Sequence, residues 1–229
     1  MLHRLLNFWN TDRSLTALLI LLAAFLFIVT PLASSAMIGS ELSIAFFALL
    51  TLTGVAAVAR RPLIVALVAT FAVASVVLDA LAHIGGGETI RLANLLMRVA
   101  FVMLLGTIVT LQVFRPGDIT HHRVQGAIAV YLLAALAWAH LYEIVVLVDP
   151  AAFRVAASTG APSTLGLFRY FSFETLTTLG YGDILPVSPP ARSLASCEAL
   201  FGQLYPAVMI ARLVSLELSE RTIGKVRGK

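Results

Sequence analysis

The sequence predicts an all-α integral membrane protein, with six transmembrane helices and one shorter re-entrant helix between the fifth and the sixth. Three observations predict it. The 229 residues are 59% apolar and 12% charged. An average soluble domain carries about twice that charged share, so too few charged groups remain here to cover a water-facing globule. Six apolar stretches approach the roughly 20 residues a helix needs to cross the hydrocarbon core. A further segment, 164–178, is semi-polar and too short to span. Backbone at that depth survives only where protein shields it or where it lines a wet cavity.

The spans run over 15–32, 42–59, 62–82, 94–114 and 124–148, and the sixth over 192–216. Arg4 and Arg13 precede the first, Arg60 and Arg61 separate the second from the third, Arg115 and Arg123 flank the fourth connection, and Arg221, Lys225, Arg227 and Lys229 follow the sixth. The alternate loops are poorer in basic residues, so the positive-inside rule puts both termini in the cytoplasm of a cell whose plasma membrane the chain crosses. The re-entrant segment then enters from outside. Ala33-Ser34-Ser35-Ala36 resembles a cleavage site, but the preceding apolar run is longer than a signal-peptide core and is read as a span.

The net charge of +4 is small and its basic residues are scattered. A nucleic-acid binder would gather them on one face with interleaved aromatics, so no nucleic-acid partner is expected. Cys197 is the single cysteine, which excludes an intrachain disulfide framework and a cysteine metal cluster; its apolar surroundings predict a buried, inert thiol.

Residues 171–186 read Phe-Ser-Phe-Glu-Thr-Leu-Thr-Thr-Leu-Gly-Tyr-Gly-Asp-Ile-Leu-Pro. Pro162, Ser163 and Thr164 signal a helix start, and a short helix to about Thr177 follows. Gly180 and Gly182 alternate with Leu179 and Tyr181. Glycines at every second residue permit left-handed backbone angles there, so that successive carbonyls point to one side of an extended strand. Four such strands around an axis stack rings of oxygen that replace an ion's water shell. The Thr178 hydroxyl adds an inner ring, and the short helix aims its negative end at the cavity.

Thr177-Thr178-Leu179-Gly180-Tyr181-Gly182-Asp183 resembles the signature of potassium channels, with Leu179 where Val is frequent. The likeness covers 124–216; the first four helices match the six-helix bacterial branch only in number and topology. It implies a tetrameric, potassium-selective pore of identical subunits, with K⁺ held at Thr178, Leu179, Gly180, Tyr181 and Gly182. It implies no cofactor beyond the permeant ion, no enzymatic activity and no soluble ligand-binding domain. The domains so implied are a four-helix unit like a degenerate voltage sensor (1–114), a linker (115–123), the pore domain (124–216) and a basic cytoplasmic tail (217–229). Glu174, Asp183 and Thr177 are expected to support the filter, Glu174 pairing with Asp183 behind it. Where the family often carries two Trp, this chain has Tyr170 and Phe171, and Phe171 has no donor for Tyr181. Leu185, in place of an aromatic residue, predicts weak external block by tetraethylammonium.

Gly202 matches a frequent hinge position, and Pro206 removes a backbone hydrogen bond four residues on. The pair predicts either a bend that opens the cytoplasmic mouth or close packing on the pore helix. Glu198 is an acid inside a span, which is costly against lipid, so it should face protein, at the back of the pore helix. The fourth span carries only Arg91 and Arg98, seven apart, too few charges for steep voltage gating; a structural pair of Arg98 with Asp79 is expected. His140 and Glu143 are expected to contact the pore helix. Keeping both glycines and the tyrosine argues against a nonselective cation channel on the same scaffold, a single pore loop argues against a four-loop transporter, and no Gly-x-Ser-Gly element points to an intramembrane protease.

Overall fold

A computed structural model describes residues 13–34, 66, 70–71, 73–74, 77–78, 81, 85, 87–114, 121–156 and 164–227, with side chains as far as Arg212. The second predicted span, most of the third, and Arg4, Arg60, Arg61, Asp79 and Arg115 lie outside the described residues.

Helix α1 (Arg13–Ala24) runs through a π-helical turn (Phe25–Val29) into the short α2 (Thr30–Ser34). The turn is closed by Thr30, whose backbone N–H and hydroxyl both donate to the Phe25 carbonyl. Helices α3 (Glu88–Val113) and α4 (His121–Val148) follow, then strand β1 (Phe153–Val155), helix α5 (Thr164–Leu176), strand β2 (Ile184–Pro186) and helix α6 (Pro189–Arg227). Among the described residues, four helical stretches are long and apolar enough to cross a membrane: Ser14–Leu32, Glu88–Val113, His121–Val148 and Pro189–Arg212. They fall on the first, fourth, fifth and sixth predicted spans, and the protein is a multi-pass membrane protein.

Hydropathy placed the middles of these helices better than their ends. α3 starts at Glu88, six residues before the expected start at 94, because its first turn is polar and follows Gly87. α6 starts on a capped end: Ser188 accepts a bond from the Ala191 N–H at 3.3 Å, and Pro189 follows as the first helical residue, where its missing N–H costs nothing. α6 continues to Arg227, so the expected tail 217–229 is helical over most of its length. Loss of hydropathy ends a membrane span but not a helix, and Leu-Glu-Leu-Ser-Glu-Arg, 216–221, contains no breaker. The regular strands β1 and β2 pair antiparallel, Arg154 opposite Leu185, and that ladder begins only after the filter sequence ends.

The core forms where α1 and α3 pack on α4, through Leu15, Leu18, Leu22, Phe101, Leu105 and Leu133. Gly126 lets α1 and α3 approach: a Cβ there would meet Val113 at 2.9 Å and Leu15 at 3.0 Å. A second cluster is aromatic. Tyr142, Phe153, Phe168 and Phe171 meet mostly edge to face, with Tyr142–Phe171 and Phe153–Phe168 centroids each 4.9 Å apart. Such pairs add about 0.5–1.5 kcal/mol each beyond burial and fix α5 against α4 and β1.

Candidate functional site

The site begins where α5 ends. The Leu179 N–H donates to the Glu174 carbonyl at 2.8 Å and the Thr178 N–H to the Thr175 carbonyl at 3.0 Å. These two crossed bonds form a Schellman motif, whose penultimate residue takes a left-handed conformation and is usually glycine. Here it is Thr178, with φ 57°. The Leu176 carbonyl, left over by that motif, accepts from the Tyr131 hydroxyl of α4 at 3.0 Å. The helix end that faces the expected pore is therefore closed by backbone and by one tyrosine of the outer helix.

Beyond it, positive φ recurs at Gly180 (58°) and Gly182 (81°). The two glycines were legible as left-handed positions; Thr178 was not, because a β-branched residue is an outlier there. Alternation of hand at 178, 180 and 182 explains why no β-ladder forms over these residues: it turns successive carbonyls away from the alternating directions a ladder needs. All residues from Thr177 to Gly182 are exposed on the isolated chain, Tyr181 to 69% and Leu179 to 57%. A following bond, Ala156 N–H to the Asp183 carbonyl at 2.8 Å, hands the chain over to the β1–β2 ladder.

Behind the strand, Glu174 is buried, and Tyr170 lies against both Glu174 and Asp183. The expected carboxyl pair is therefore brought together, with Tyr170 as a third member that sequence reasoning had treated only as a departure. Burial raises the Glu174 carboxyl above its ordinary range, and the Asp183 charge adds to the rise. One oxygen of each, Glu174 Oε1 and Asp183 Oδ1, has no hydrogen-bond partner. Phe171 is buried in the aromatic cluster instead of reaching Tyr181. Thr177 turns its hydroxyl back to the Phe173 carbonyl at 2.6 Å.

The inner helix meets this assembly through residues that include Glu198, Gly202 and Gln203. Glu198, fully buried, accepts bonds from the Tyr142 hydroxyl of α4 and the Ser172 hydroxyl of α5, as its expected place behind the pore helix requires; Ser172 also reaches the Ala135 carbonyl at 2.7 Å. Tyr142 and Ser172 were missed; each is a hydroxyl in a largely apolar helix, and that was the available signal. Gly202 is buried, and a Cβ there would lie 1.9 Å from the Leu176 carbonyl oxygen. Of its two expected roles, close packing on the pore helix is the one this geometry displays. Gln203, next in sequence, donates from Nε2 to Thr178 Oγ1 at 3.0 Å. Pro206 lies inside α6. Cys197, expected to be buried, is exposed on the isolated chain.

His140 and Glu143 are buried together, Nδ1 to Oε2 3.4 Å, near Arg169 of α5 and Arg98 of α3. Arg169 of α5 lies within electrostatic reach of both. Arg169 extends past them to donate to Thr30 Oγ1 at 2.7 Å and to cover the Phe25 ring at 4.9 Å.

A short helix that stops inside the fold, a strand of alternating hand after it, and a long helix on each side define a membrane pore element. Residues 127–217 match the family model for ion channels. The chain is 34% identical over 87 residues to Protein LctB of Bacillus caldotenax, 37% of this chain and 64% of that protein. It is 40% identical over 55 residues to the inward rectifier potassium channel Kirbac3.1 of Paramagnetospirillum magnetotacticum, 24% of this chain and 18% of that one. Protein LctB of Geobacillus stearothermophilus is 35% identical over 82 residues, 34% of this chain and 60% of that protein. The chain thus spans less than two thirds of the length of these relatives. No solved structure matches it.

Proposed function

We propose that the protein is a potassium-selective channel of the plasma membrane, built from four identical copies, with both termini cytoplasmic and little voltage dependence. The observation that carries this reading is the alternation of left-handed angles at Thr178, Gly180 and Gly182 on an exposed strand. Such a strand turns its carbonyls to one side, and only several copies about an axis convert that side into closed rings of oxygen. K⁺ is held at Thr178, Leu179, Gly180 and Tyr181, with Gly182 completing the filter. A partial likeness to a protein named as an inward rectifier potassium channel favours K⁺ over other cations.

In this reading Glu174, Asp183 and Thr177 brace the filter from behind. Gly202 and Pro206 give α6 its place to bend: the Gly202 carbonyl has no N–H to meet at Pro206, and Gly202 itself rests on the pore helix. The permeant ion is the only small molecule required. Purified protein in liposomes, under opposed K⁺ and Na⁺ gradients, tests the proposal. A reversal potential following K⁺ is expected. Equal leak to both ions, which defines a nonselective cation channel, or a monomer by mass in detergent, sinks it.

A further inference from the structure

Two consecutive residues of α6 touch the end of the pore helix in different ways. Gly202 seats the inner helix on the Leu176 carbonyl. Gln203, on the exposed face, donates its carboxamide N–H to Thr178 Oγ1 at 3.0 Å. Thr178 is the residue that pays for the Schellman turn, a β-branched side chain at φ 57°, where such side chains are strained. A threonine hydroxyl has two lone pairs and one rotatable proton. Left alone, that rotor is free to present either its proton or a lone pair to whatever lies in front of it. With one lone pair engaged by Gln203, the hydroxyl's rotation is restricted, and its second lone pair is what remains for a cation.

We propose that Gln203 is a positioning residue that determines cation specificity at the inner end of the filter: its carboxamide orients the Thr178 hydroxyl so that oxygen, and not hydrogen, meets a dehydrated ion. This rests on the reading of residues 178–182 as the ion path. Thr178 is the one filter residue whose side chain supplies an oxygen to that path, and so the one whose contribution depends on a rotor. The backbone carbonyls of the other positions have no such freedom. Gln203 therefore acts through Thr178 and leaves the rest of the filter as the backbone sets it.

The test uses full-length protein in liposomes and two readouts: the K⁺ to Na⁺ permeability ratio from reversal potentials, and block by Ba²⁺ added at the side of the α6 C-terminus. Ba²⁺ is close to K⁺ in size with twice its charge, so it reports on the innermost oxygens. Gln203→Leu keeps the volume and removes the donor. Both the ratio and the Ba²⁺ affinity are expected to fall about tenfold, the effect of roughly one hydrogen bond. Added to Thr178→Ala, Gln203→Leu should change nothing further; added to Thr178→Ser, which keeps the hydroxyl, it should have its full effect. Unchanged values in Gln203→Leu overturn the inference, and so does an equal fall in the Thr178→Ala background, which would place its action elsewhere in the cavity. If Gln203→Leu does not assemble, Gln203→Met, also without a donor, is read in its place. Wild-type protein that fails to prefer K⁺ overturns the channel reading itself, an outcome visible before any variant is made.

Discussion

In the front of the molecule, α1 and α3 meet α4 chiefly through leucine, valine and phenylalanine side chains, with polar bonds alongside that packing. Thr16 reaches His122 and Gln125, Arg169 reaches Thr30, and Arg212 lies over the Phe114 ring at 4.4 Å while donating to its carbonyl at 3.3 Å. From Tyr131 to Gln203 the balance reverses. Pore helix, filter and inner helix are joined by named hydroxyls, carboxyls and carbonyls, such as Glu198 with Tyr142 and Ser172 and Gln203 with Thr178. Apolar packing accepts substitutions of similar volume, whereas a buried polar bond leaves an unsatisfied group when one side is removed. The difference teaches where this chain demands particular residues and where it demands only apolar volume.

That contrast is most exposed to failure at the filter glycines. Gly182→Ala meets no steric obstacle around its Cβ within its own chain, so the cost there comes from its φ of 81°. Left-handed backbone costs an L-residue about 1–2 kcal/mol, incurred once per proposed subunit. K⁺ over Na⁺ selectivity is expected to fall on the order of a hundredfold or more, measured by reversal potentials. A selective alanine variant would break the account of the strand.

Gly202→Ala comes next, because its methyl would collide with the Leu176 carbonyl, which is also held by Tyr131. Thermal melting in detergent should show a loss of about 1–3 kcal/mol per chain, the usual range for overpacking. The control is Gly106→Ala in α3, where nothing lies within 4 Å; it should be neutral or slightly stabilising. Similar costs at the two glycines would erase the distinction drawn between the regions.

Glu174 sharpens the comparison through pH. Its carboxyl is raised in the folded protein, by burial first and by Asp183 second. A raised acid stabilises the fold fully below its ordinary unfolded value, and that contribution is lost as pH rises through the higher folded value. Melting temperature is therefore expected to fall with rising pH from the ordinary glutamate value upward. Glu174→Gln should flatten that slope, and Glu174→Ala should alter filter inactivation. A slope identical in wild type and Glu174→Gln would remove the carboxyl pair from the argument.

The smallest effect belongs to the front half. Arg91 and Arg98 are the basic residues of α3, and each charge moved across the membrane is worth about 2.3 kcal/mol per 100 mV. Arg91→Gln should leave the steepness of any conductance–voltage relation unchanged within error. A clear loss of steepness would show that α3 carries gating charge after all.

Much of this was legible in the sequence, and the reasons differ by element. Spans α4 and α6 stood out because apolar side chains persist for a membrane's width. The filter stood out because few structures need glycine at two positions separated by one residue. The ends of helices did not: Glu88 opens α3 within polar sequence, and α6 passes through charged residues to Arg227. The supports of the filter were partly hidden. Glu198 announced itself as an acid in an apolar helix, but its partners Tyr142 and Ser172 are separated from it by 56 and 26 residues. Thr178 at positive φ runs against its own local preference, so only the tertiary structure reveals it.

In the proposed channel, the residue that ends the pore helix is also the first rung offered to an ion. Because Thr178 belongs to the Schellman turn and, in the proposed channel, to the ion path, the helix there cannot be extended by one residue without deleting a rung, nor shortened without lengthening the staircase. The number of ion-coordinating levels is thus written into how a helix stops, and a redesign of this pore for another ion would have to begin with that stop rather than with the glycines above it.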